Sequence, residues 1–159
     1  MAATFVWSES NLVGQVVEDD IANLNFGDID DHELVPASYP IVCGECSYEK
    51  WLRAKFSDSF TEISNMKFWK SSGALKDDEV IYADLIAAFH TPVKTASIYA
   101  VTAVPTSVGT AITVLAANGD ATIVAPGYTR YLCLQTESSV DTPAGAGNQK
   151  VFTIQYDEV

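Results

Sequence analysis

Two thiols three residues apart, in Cys43-Gly44-Glu45-Cys46, form the sharpest chemical constellation in the sequence. At that spacing a pair can close a reversible disulfide or supply half of a tetrahedral zinc site. Zinc needs two further ligands, and Cys133, His32 and His90 stand at unrelated spacings, so no metal and no cofactor is expected. The run Asp28-Ile29-Asp30-Asp31-His32-Glu33 has the carboxylates for calcium but no glycine at the sixth loop position and no glutamate at the twelfth. It reads as a solvated acidic loop. No GxSxG, HExxH or GxxxxGK[ST] occurs, and His32 has no paired nucleophile in view. His90, between Phe89 and Thr91, reads as a structural histidine. Catalytic residues are therefore not assigned, and the chain is expected not to be an enzyme.

The elements that would carry these residues change character along the chain. Residues 1–46 are acidic and turn-rich, punctuated by Gly14, Gly27, Pro36 and Pro40, yet they hold Phe5, Trp7, Leu12, Val13, Val16, Ile21, Leu24 and Phe26. That is too much apolar surface for a solvated tail. The expectation is an extended acidic N-terminal arm that buries itself on the chain's own core or on a neighbouring subunit. Phe5, Trp7, Leu12 and Phe26 are its candidate interface anchors. Residues 47–159 are expected to form a single β-sandwich domain. Leu52, Ala54 and Phe56 alternate with Arg53, Lys55 and Ser57, the period of a half-buried strand. Phe60–Lys70 continues as a second strand, so the two read as a hairpin or meander, with Phe68 and Trp69 forced to opposite faces. Residues 77–90 fit a helix capped by Asp77 and Asp78 or a strand equally well. Short segments rich in Val, Ile, Thr and Tyr at 97–104, 110–115, 121–124, 128–136 and 151–156 read as strands. Turn chemistry at Asn118-Gly119-Asp120, Pro126-Gly127 and 143–148 separates them. The fold class is thus mainly β, an antiparallel sandwich or jelly-roll-like domain.

Composition limits the partners. The 159 residues carry 9 Lys plus Arg against 21 Asp plus Glu, a formal net charge of -12. Such a field repels phosphate backbones, which argues against direct nucleic-acid binding. No run approaches the length of a membrane helix, so no membrane partner is expected. Met1–Phe5 has no basic region followed by an apolar one, and three cysteines are too few and odd for a disulfide framework. Synthesis in a cytosol is expected. The three Trp, seven Tyr and seven Phe read as core and interface anchors rather than a ligand platform.

Two resemblances bear on function. The CxxC, with Val104-Pro105-Thr106 downstream, is similar to the redox site and proline segment of the thioredoxin family. That resemblance implies a nucleophilic Cys43 at a helix N-terminus and a resolving Cys46. The chain departs from the pattern where Glu45 stands in place of a proline, where Pro40 interrupts the preceding strand, and in the β-branched second half. The segments Ser47–Arg53 and Phe60–Trp69 and the terminal Gln155-Tyr156-Asp157-Glu158 resemble small virion proteins of tailed bacteriophages. This implies a capsid decoration or cement protein on the virion surface, made in the host cytoplasm. Its partners would be the major capsid protein and sister copies in a homo-oligomer such as a trimer. A head-to-tail connector, a tail component or a host-binding β module has the same texture.

Overall fold

The computed structural model describes residues 2–159 and is mainly β: two antiparallel sheets face one another as a sandwich. The strands are β1 (Thr4–Asn11), β2 (Val16–Asp19), β3 (Lys50–Ser57), β4 (Ile63–Ser72), β5 (Glu79–Ile86), β6 (Ile112–Thr113), β7 (Gly127–Tyr128), β8 (Tyr131–Ser138) and β9 (Val151–Glu158). The larger sheet runs β2-β1-β3-β8-β5, with β7 also on β3; the smaller runs β6-β4-β9.

Alternation within each strand decides which side chains meet. On the larger sheet Leu52, Ala54, Phe56, Ile81, Ala83, Leu132 and Leu134 turn inward. Ile63, Met66 and Phe68 answer from the smaller sheet. Aromatic contacts join the two: Trp7 meets Phe68 edge-on at 6.0 Å and Phe56 meets Tyr156 edge-on at 4.9 Å, while Phe68 stacks on Phe152 within the smaller sheet at 5.8 Å. The outer face of the larger sheet has its own small cluster, in which Trp51 and Cys133 are buried beneath Phe89 and Tyr99.

Several expectations change in register or partner. Within residues 1–46, Thr4–Asp19 fold as the β1–β2 hairpin, with β1 between β2 and β3. Sheet pairing satisfies the β1 backbone and places Phe5 and Trp7 against the core. Residues 20–49 follow with no helix and no strand. The β3 and β4 segments do not pair as a hairpin. The link between them, with Asp58 at φ 64°, crosses from one sheet to the other, so Phe56 and Ile63 face the same core from opposite sides. A bulge beside Asn65, at φ 51°, lets both Ile63 and Met66 point inward, and Trp69 is left half-buried outside.

The ambiguous segment 77–90 contains strand β5, paired with β8 along its whole length. The expected strand at 97–104 is irregular because side chains take its backbone donors. Asp84 Oδ2 accepts from the N–H groups of Val101 and Thr102, and Ser97 Oγ accepts from those of Tyr99 and Ala100. At 110–115 only Ile112–Thr113 remains a strand, 121–124 contributes the single bridge Ile123 to Ile63, and 128–136 breaks at Arg130. The terminal strand β9 stands as its alternation predicts.

Candidate functional site

The cysteines are all free thiols. Cys43 is exposed on a turn, where its Sγ donates to Thr142 O at 3.3 Å. Cys46 is buried where the chain bridges to Glu137. Burial, then the carboxylates of Glu137 and Glu45, push the Cys46 thiol up, the direction opposite to an activated redox thiol. No α-helix occurs among the described residues, so the helix N-terminus that thioredoxin-like chemistry requires does not stand behind Cys43. Cys133 is buried between strands, its thiol raised first by burial and then by Glu49.

The acidic run turns out to be structural wiring. Asp30 accepts from Asn11 Nδ2 and from the Leu12 N–H. Lys94 pairs with Asp28 and with Glu45. His32 lies 3.7 Å from Asp31 and 4.0 Å from Glu18. Among the described residues no group of three or more His, Cys, Asp and Glu side chains is disposed to hold a metal ion. His90 stacks on Tyr99 at 4.3 Å and leans on Trp51, in a cluster that Glu49 anchors by accepting from Trp51 Nε1.

The four interface anchors separate. Phe5 and Trp7 pack on the core in edge contact with one another at 5.1 Å, and Phe26 packs on Phe152. Leu12 alone lies at the surface, at the tip of the β1–β2 hairpin, 48% exposed beside Val13 at 83%. Val16 and Val17 continue this aliphatic tip. Leu12 holds φ 61° and Gln15 φ 60° on either side of Gly14. A branched side chain in that left-handed region costs about 1–2 kcal/mol, and such strain persists where the surroundings fix it. Here Asp30 grips the Leu12 amide and Gln15 Nε2 reaches the Tyr131 hydroxyl. The tip is therefore a held shape with apolar side chains facing water.

A second feature is a cleft of about 1200 Å³ where the sheets part. Trp7 and Leu52 line it from the larger sheet, Phe152 from the smaller, and Leu24 and Phe26 from the irregular segment. The Lys150–Glu79 ion pair at 2.7 Å and the Thr136 side chain, whose buried hydroxyl has no partner, supply polar wall. Lys76 ties the 143–145 loop across the mouth through the carbonyls of Pro143 and Gly145. The third is a polar pocket on the inner face of β1 and β3, where Glu9 and Lys50 meet at 2.8 Å with both side chains fully buried.

Compared with protein-family models, with curated proteins and with solved structures, the chain matches none.

In sequence Leu12 read as an apolar residue of an acidic, turn-rich stretch, in the same way as Phe5, Trp7 and Phe26. The Glu9–Lys50 pocket was not legible, since its burial depends on residues 41 positions apart meeting across β1 and β3. Glu9 and Lys50 each read locally as ordinary surface charges.

Proposed function

We propose that this chain is a non-enzymatic structural protein of a phage virion, a decoration or cement module that docks on the major capsid protein. The observation that carries the reading is the β1–β2 tip, where Leu12, Val13, Val16 and Val17 are exposed together on a hairpin held by side-chain hydrogen bonds. Preorganised apolar projections lose little freedom on docking, and repeated copies on a shell turn a small contact into a durable one. An acidic surface disfavours close contact elsewhere and favours docking through apolar projections such as this tip. The antiparallel sandwich and the sequence texture of small virion proteins agree with this role. Sister copies would lie side by side on the capsid surface.

The test is cosedimentation of the purified protein with empty capsids of the phage that encodes it. Saturation at a ratio set by capsid symmetry supports the reading; a folded sample that stays in the supernatant counts against it. The apolar cleft favours a second reading, a tail or host-binding module that takes a partner's apolar segment between its sheets. Saturable binding to host envelope fragments, with none to capsids, would put that reading first.

A further inference from the structure

The buried cluster that holds Glu9 and Lys50 also holds Asn11. Glu9 and Asn11 sit two apart on β1 and so share its inner face. The antiparallel register that sets Ser10 against Trp51 brings Asn11, one step further on, beside Lys50 of β3. Glu9 Oε1 accepts from Lys50 Nζ and from Asn11 Nδ2, each at 2.8 Å. Lys50 Nζ also donates to Asp31 O at 2.8 Å, and Asn11 Nδ2 donates to Asp30 Oδ1 at 2.9 Å. All three side chains are buried.

Hydrogen-bond accounting in this pocket distinguishes two proton arrangements. With Lys50 as ammonium and Glu9 as carboxylate, three N–H donors face two acceptors, while Glu9 Oε2 and Asn11 Oδ1 are buried acceptors with no donor. Moving one proton from Lys50 to Glu9 removes the imbalance. The amine then has two N–H groups for its two acceptors and keeps a lone pair. A proton on Glu9 Oε2 is the kind of donor that Asn11 Oδ1 lacks.

We propose that Lys50 and Asn11 become joined by an intramolecular isopeptide bond, formed by the protein itself with Glu9 as the proton carrier. The Lys50 Nζ lone pair attacks Asn11 Cγ while Glu9 donates its proton to the carboxamide oxygen, stabilising the tetrahedral adduct. Glu9 then takes a proton from Nζ and delivers it to Nδ2. The Cγ–Nδ2 bond breaks, ammonia leaves, and loss of the hydroxyl proton to Glu9 restores the acid. An amine and a primary amide have become a secondary amide and ammonia, with no oxidant or other reactant consumed. Sheet pairing supplies the proximity, and burial keeps out the water that would otherwise hydrolyse the carboxamide. The bond ties β1 to β3, beside the hairpin whose tip projects from the sheet.

Intact mass spectrometry of the purified full chain is the direct test. The expected mass is that of the sequence less one ammonia. Lys50 is the first Lys or Arg in the chain, so trypsin acting on the denatured protein should fail there and release an N-terminal peptide ending at Arg53, also short by one ammonia. Glu9→Gln, checked for β structure by circular dichroism, should restore the full mass and cleavage after Lys50. A wild-type chain of full mass that is cut after Lys50 overturns the proposal. Deamidation of Asn11 with cleavage after Lys50 also overturns it, and ammonia loss persisting in Glu9→Gln removes Glu9 from the reaction.

Discussion

Lys50 and Glu9 form an ion pair at 2.8 Å with neither side chain exposed, on adjacent strands of the larger sheet. Removing one partner strands the other in a dry site. Lys50→Met takes away both this contact and the proposed bond to Asn11, and should lower stability by about 3 kcal/mol or more, read as a fall in the urea midpoint. Adding Glu9→Gln to that variant should recover part of the loss, because no carboxyl group is then left buried without its partner.

Truncation separates an arm from a sheet strand. Deleting residues 1–26 removes β1, which is paired on both sides, together with Trp7 from its contact with Phe68. The shortened chain should lose its cooperative thermal transition. A truncated domain that still melts cooperatively would mean that residues 27–159 fold without β1 and β2.

Phe68 is fully buried between Trp7 and Phe152 at the meeting of the two sheets. Phe68→Ala should cost about 3–5 kcal/mol in chemical denaturation. Trp69→Ala, one residue along and on the other face, should cost much less.

Thiol chemistry gives a pH dependence with a definite sign. Burial first, then Glu49, holds the Cys133 thiol above its usual value in the folded protein, so the unfolded chain loses this proton first as pH rises. The stability it contributes is complete below the unfolded thiol's range of about 8.5 and declines as pH climbs above that value toward the folded one. Cys133→Ala should flatten this alkaline limb in urea titrations at successive pH values. In the native protein, a thiol reagent should label Cys43 rapidly and reach Cys46 and Cys133 only on unfolding.

Local pattern carried the strands whose neighbours agreed with it. Leu52, Ala54 and Phe56 alternate and are buried, and Phe152, Ile154 and Tyr156 pack on the core as their spacing requires. It failed where long-range partners decide. Nothing local shows that the β3–β4 link crosses between sheets, or that an Asn65 bulge re-aims Met66. Asp84 and Ser97 draw the backbone of 99–102 away from a ladder that its β-branched residues would have joined. For the candidate sites, Leu12 read in sequence only as an apolar residue in a polar stretch. Phe5, Trp7 and Phe26 looked the same in sequence, and only pairing of β1 and contact with Phe152 turn them inward.

If the β1–β2 tip docks on the capsid, Val13, its most exposed aliphatic side chain, should carry the contact. A comparison of wild type and Val13→Asp in binding to empty capsids, with equal melting temperatures as the control for folding, tests it most directly. Docking through the tip requires saturable binding by wild type and at least a tenfold weaker affinity for the variant, about 1.4 kcal/mol. Equal binding by the two proteins would contradict it.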